Sequence, residues 1–110
     1  MKYFFTLCIS CAFVFSAYLK DVPIDLTQPS GETFSCFVSG DEFYNRFHDQ
    51  DGYTIVQSQT DGYYYYAQMI NSQIMPTQYL ADQLYNLESL GFSKGIIIPK
   101  EEYLSRRERK

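Results

Sequence analysis

The strongest constraint on the fold lies between residues 51 and 76, where short apolar runs alternate with turn residues. Tyr53 to Gln57 reads as a strand, Thr60-Asp61-Gly62 as a turn, and Tyr63 to Met69 as a second strand. Asp-Gly between two such runs signals a hairpin, because glycine takes the positive φ that tight hairpin turns require. Asp51-Gly52-Tyr53 and Asp61-Gly62-Tyr63 stand ten residues apart, the spacing of successive turns in a meander. One such pair is too brief for a repeat array. Asn71-Ser72 predicts a further turn. Ile74-Met75-Pro76 predicts a short third strand, placed at a sheet edge because proline has no amide to donate.

Upstream, Ile24 and Leu26 alternate with polar residues, Gln28-Pro29-Ser30-Gly31 marks a turn, and Thr33 to Ser39 is again strand-like. This predicts another hairpin. Ser39-Gly40-Asp41-Glu42 matches a capping box and predicts a short helix from Asp41 to His48, with Phe43 and Phe47 on one face. Asp49-Gln50-Asp51-Gly52 would stop it.

Further on the period changes. Leu80, Leu84, Leu87 and Leu90 follow helical spacing, and Gly91 stands where a C′ glycine belongs. Gly95 to Pro99, with Ile96-Ile97-Ile98, reads as a buried strand or an extended link. Glu101 to Lys110 reads as a polar helix with only Tyr103 and Leu104 to bury, the start of a linker that stops without a natural end. The expected fold is therefore α+β. A mainly antiparallel sheet of about five strands carries one short helix after strand two, and the leucine-striped helix packs on one face. The domain spans residues 18–99 and the linker starts at 100–110.

The first residues predict export. Met1-Lys2 gives a short positive start, Tyr3 to Phe15 is apolar apart from Thr6 and Ser10, and small residues follow at Ser16 and Ala17. Charge, apolar core and small-residue exit in that order describe a secretory signal peptide over residues 1–17. A run of about 13 apolar residues is too short to span the membrane comfortably, which takes about 20. An uncleaved anchor, a buried first strand and lipidation at Cys11 are the competing readings, as are cuts after Ser16 or Ala17. The mature chain is expected outside the cell or in a periplasm, with no stable membrane insertion after cleavage.

Charge and ligand counts then limit the chemistry. Between Lys20 and Pro99 only Lys20, Arg46 and Lys94 face ten carboxylates, which repels phosphate backbones and argues against nucleic-acid binding. Cys36 is the one thiol left once Cys8 and Cys11 depart with the leader, and His48 is the one histidine. No zinc spacing of the H-E-x-x-H type exists. Cys36 lies among Phe34, Phe37 and Val38, where a thiol more often packs than reacts. His48 is expected to cap a helix end. Asp49 and Asp51 lack the remaining ligands of a calcium loop, and turn chemistry explains them better. Tyr63 to Tyr66, in a chain with 11 Tyr and 9 Phe, would put two rings inside and two outside. The outer pair offers a face for glycan or peptide. No base–nucleophile pair can be assembled, so no catalytic residue and no cofactor are expected.

The stretch Cys36 to Gln57, CFVSGDEFYNRFHDQDGYTIVQ, resembles a segment near the start of secreted M6-family (immune inhibitor A-like) metalloproteases. Val22 to Gly31, VPIDLTQPSG, is similar to the hairpin that precedes it there, and Gly62-Tyr63-Tyr64 with Tyr66-Ala67 and the trailing polar helix also fit. In that family this region is an N-terminal pro-segment and the zinc-binding catalytic domain follows. The zinc ligands and glutamate base are missing here, so protease activity does not carry over. The resemblance implies a pro-region that masks, or helps to fold, a metalloprotease catalytic domain in cis or in trans. Cys36, His48, Asp49 and Asp51 are the candidates for covering its zinc. The alternative is a free-standing exported binding module.

Overall fold

Six strands follow one another along the chain, and each pairs only with its sequence neighbours. In a computed structural model, which describes residues 18–109, they are β1 (Leu19–Thr27), β2 (Thr33–Gly40), β3 (Asn45–His48), β4 (Thr54–Gln57), β5 (Tyr64–Ile70) and β6 (Gln73–Leu80). They form one antiparallel sheet in the order β1-β2-β3-β4-β5-β6, followed by a helix, α1 (Lys100–Glu108). The signal peptide expected at residues 1–17 lies outside the described residues.

The turns sit where local chemistry put them. Gly31 has φ 97° and donates to the Gln28 carbonyl at 2.8 Å, closing the β1–β2 turn. Gly62 has φ 80° and donates to Ser58 at 2.9 Å between β4 and β5. Asn71 and Ser72 both take positive φ, 52° and 66°, as a two-residue hairpin turn with the sheet's own twist demands. β6 bonds to β5 alone, so Pro76, opposite Ala67, lies at an edge as expected.

The register creates two rows of side chains across the middle of the sheet. Val38, Phe47, Ile55 and Tyr66 stand opposite one another in turn, and so do Phe37, His48 and Thr54. Adjacent rows point to opposite faces. The first row joins the apolar core, where Ile55 and Tyr66 are buried with Leu26, Cys36, Tyr53, Ala81, Leu87 and Phe92. Edge-on ring contacts tie it together, Phe34–Tyr64 at 6.0 Å and Tyr79–Phe92 at 5.7 Å among them. The second row is covered by residues 94–99, with the Thr54 hydroxyl donating to the Ile96 carbonyl at 2.8 Å. That run is thus an extended link rather than a strand. With both faces of the sheet centre covered, polar residues are buried there too.

Two expected helices are absent, and the strand count rises from five to six. Residues 41–44 form a turn and Asn45–His48 is strand β3. The Asp41 carboxylate, not the Ser39 hydroxyl, caps the turn, accepting from the amides of Phe43 (2.9 Å) and Tyr44 (3.2 Å). The same four residues satisfy a capping box or an Asp-initiated turn, and strand pairing on both sides of β3 decides for the turn. The leucine stripe also fails as a helix. Leu80 ends β6, Leu84 is 100% exposed and Leu87 is 5% exposed. What survives is a single turn. Asn86 caps its start through the Ser89 amide, and Phe92 and Gly91 donate back to Leu87 and Glu88 at its end, with Gly91 at φ 89°. The Gly91 cap stands where it was expected, but the one turn before it is too short to propagate.

α1 folds back. The Tyr103 hydroxyl donates to Asp41, its ring meets Phe43 edge-on at 6.1 Å, and Arg106 donates to the Phe43 carbonyl at 3.2 Å while lying over the Tyr44 ring. The polar tail is thereby attached to the β2–β3 turn.

Candidate functional site

Three strands converge on His48. It sits at the end of β3, 3% exposed, with its ring stacked on Phe37. Its Nδ1 lies 2.8 Å from the Asp49 carbonyl, and a carbonyl only accepts, so Nδ1 carries a proton. In the neutral ring Nε2 is then the acceptor, 2.8 Å from the buried Ser39 hydroxyl on β2. Ser39 Oγ in turn accepts the Asp21 amide from β1 at 2.9 Å, and the Asp21 carboxylate stands 3.4 Å from Nε2. Asp21 holds φ 52° at the bulge that makes this reach.

His48 therefore caps no helix. Its contact with Ser39 is also a serine–imidazole pair of the kind that sequence reasoning found impossible to assemble. The pair was missed because Ser39 looked like a helix cap; a Ser and a His flanking one tight turn of an antiparallel hairpin was the signal that could have found it. Geometry confines what the pair does. Both side chains are enclosed, and the serine oxygen and both ring nitrogens are occupied in stitching β1, β2 and β3 together.

Asp49 organises the β3–β4 turn. Oδ1 accepts from the amides of Asp51 (2.9 Å) and Tyr53 (3.0 Å), and Oδ2 accepts from the Tyr66 hydroxyl at 3.2 Å. Burial and the Asp49 charge together hold the Tyr66 phenol protonated far above its ordinary range. The turn chemistry expected of this aspartate is present in these bonds. Arg46 braces the same turn through the Gly52 carbonyl (3.3 Å) and the Thr54 hydroxyl (2.9 Å).

The four zinc-masking candidates are thus not brought together as one exposed set. Cys36 is 2% exposed in the core, and burial, with the Asp25 carboxylate adding to it, pushes its thiol up to about 11. His48 and Asp49 face inward, and Asp51 alone is exposed. Among the described residues no group of three or more His, Cys, Asp and Glu is placed to hold a metal. Nor is any helix among them long and apolar enough to cross a membrane. In the tyrosine run, Tyr64 and Tyr66 pack against Phe34, Phe47 and Phe92, while the Tyr65 hydroxyl donates to Asp61 at 2.6 Å. The expected two-in, two-out division is present, but Tyr63 and Tyr65 are half-buried rather than a free face.

Two concavities flank this centre. The larger, about 980 Å³, lies between the β3–β4 turn and residues 81–88, with Tyr53, Tyr85, Asp51, Asp82 and Glu88 in its lining. The smaller, about 420 Å³, opens between β2, residues 97–98 and α1, with Arg46, Lys100 and Tyr103 around it. Nothing in the sequence signals the larger one, because its wall is the run whose leucine spacing predicts a helix. Comparison with protein-family models, with curated proteins and with solved structures finds no match for this chain.

Proposed function

We propose that this chain is a non-catalytic pro-segment, exported by the leader at residues 1–17, that masks or assists the folding of an M6-like zinc metalloprotease domain, in cis or in trans. The observation that carries this reading is where the stretch resembling such pro-regions spends its polar groups. Ser39, Asp41, His48 and Asp49 all turn their hydrogen-bonding atoms into the chain itself. Gly40, at φ 137°, has no room for a side chain, since a Cβ there would collide with the Tyr44 carbonyl oxygen. A motif built this way specifies a scaffold, and its chemistry is recognition by shape and surface charge.

Of the masking candidates, Asp51 stands on the surface and a carboxylate is a zinc ligand. The test adds the chain to an M6-type catalytic domain and measures both peptidase inhibition and the refolding yield of that domain. Inhibition or improved refolding by wild type is expected, with Asp51→Asn weakening inhibition and Cys36→Ser leaving it unchanged. A chain that neither inhibits nor assists refolding at micromolar concentration refutes the proposal. A second reading, a free-standing exported binding module, is favoured by the 980 Å³ groove rather than by Tyr63 to Tyr66. Glycan and peptide arrays separate the two.

A further inference from the structure

The smaller concavity contains a cation that the chain leaves without an anion. Arg46 on β3 lines it and is half-buried, so part of its surface stays open to a ligand there. Both of its hydrogen bonds are made by Nη1, to the Gly52 carbonyl at 3.3 Å and the Thr54 hydroxyl at 2.9 Å. These acceptors are neutral, and no carboxylate among the described residues lies within ion-pair distance of the guanidinium. Arg106 makes the contrast, for it too is partly enclosed and Glu102 stands 2.8 Å from it. A guanidinium carries five N–H donors, and drawing it from water without a counter-charge has a cost that an incoming anion would offset.

The rest of the lining limits what that anion can be. Lys100, exposed at the start of α1, adds a second cation with no ion-pair partner among the described residues. Against these two stands one carboxylate, Asp41, which already accepts from the Tyr103 hydroxyl and from the Phe43 and Tyr44 amides. The lining is therefore net positive in a chain of formal net charge -4. Burial holds the Tyr44 phenol protonated above its ordinary range even beside Arg46, so that ring adds no second negative charge. Ile98, the 55% exposed Ile97 and the 66% exposed Tyr18 supply an apolar wall still open to solvent. The volume, about 420 Å³, is that of a site for a small molecule.

We propose that this concavity binds a small apolar organic acid, its carboxylate on Arg46 and Lys100 and its body against Ile97, Ile98 and Tyr18. A planar carboxylate matches the fork of donors that a guanidinium presents, and Thr54 and Gly52 already hold that fork in place. The larger groove, with Asp51, Asp82 and Glu88 in its lining, offers the opposite charge and serves as an internal control. The site is independent of any masking role, since none of Cys36, His48, Asp49 and Asp51 lines it.

The experiment titrates ¹⁵N-labelled protein, expressed from the full 110-residue reading frame, with naphthoate and, separately, with naphthamide, its neutral isostere. Naphthoate is expected to shift the amides of Tyr44, Ile97, Ile98 and Lys100 saturably, with weaker binding at higher salt. Naphthamide should bind roughly tenfold more weakly, the worth of one charge-assisted contact. Arg46→Met is expected to raise the dissociation constant of naphthoate by about the same factor. Lys100→Glu stands at an exposed position where an acidic residue suits the first turn of a helix, so it leaves the fold alone and should weaken binding several-fold. The proposal is overturned if naphthoate shows no saturable binding, if naphthamide binds equally well, or if the shifts map to Asp82 and Tyr85 of the larger groove. Wild-type affinity in Lys100→Glu or in Arg46→Met overturns it as well. Absence of masking activity with naphthoate binding intact would refute the pro-segment reading and leave this one standing.

Discussion

Removing the Asp49 carboxylate should loosen the β3–β4 turn and the core beside it, because one side chain satisfies three donors. Its Oδ1 accepts two amides of the turn, and its Oδ2 accepts the Tyr66 hydroxyl from β5. Hydrogen bonds to a charged group contribute ~1.5–3 kcal/mol each when buried. Asp49 is only half-buried, and water can replace about one of the two turn amide bonds, so the low end applies to the remaining two bonds. Asp49→Ala should then cost roughly 3 kcal/mol, of which the Tyr66 contact is the most enclosed part. Asp49→Asn keeps an oxygen for the two amides and should cost about 1 kcal/mol. Urea unfolding measures both, and for a domain of this size the alanine variant should also melt roughly 12 °C or more below wild type. An alanine variant within about 0.5 kcal/mol of wild type, the scatter of neutral surface changes, would refute the reasoning. So would an asparagine variant as damaged as the alanine one, since that would make the charge itself, and not the turn, the point of the residue.

The remaining predictions concern the leucines, the thiol and the helix. Leu87→Ala should destabilise by roughly 2–4 kcal/mol, as a buried leucine does, while Leu84→Ser should be neutral; equal effects in urea unfolding would restore the helical stripe. Cys36, with its thiol raised to about 11, should resist alkylation at pH 8.5 in the folded protein and react promptly in denaturant. Because its folded value lies above the unfolded one, the thiol's contribution to stability is complete below about pH 9 and is lost as pH rises towards 11; Cys36→Ala should flatten that alkaline decline. The Asp41 carboxyl is partly desolvated, yet the Tyr103 hydroxyl and the Phe43 and Tyr44 amides hold it below its ordinary range. Its stabilisation is therefore present above about pH 4 and lost as pH falls below that, so the protection factors of the α1 amides should fall there and Tyr103→Phe should abolish much of the pH effect. Unchanged protection in α1 across that range would mean the helix docks by its rings alone.

Legibility followed the range of the interaction. Gly31, Gly62, Asn71-Ser72 and Gly91 were readable because a positive φ is a demand made by one or two residues on themselves. Pro76 announced its edge for the same reason. Gln28 was not readable. Its enclosed side chain accepts the Tyr64 amide at 2.8 Å and donates to the Tyr64 carbonyl at 3.3 Å, so a residue named as part of a turn in fact extends β5 across 36 positions of sequence. Ser39 and His48 likewise looked like caps of a helix until β1 and β3 were paired on the two sides of β2.

The sequence by itself determined the β1–β2, β4–β5 and β5–β6 hairpins, their turns and the buried thiol, since strand alternation and turn residues act over a few neighbouring positions. Tertiary structure alone decided between helix and strand at 41–48, dissolved the leucine stripe into a groove wall, and docked α1 on the β2–β3 turn. A short amphipathic segment has little preference of its own, because starting a helix is unfavourable and the gain comes only from a face to bury against. The sheet supplied partners for β3 on both edges and left Leu84 none.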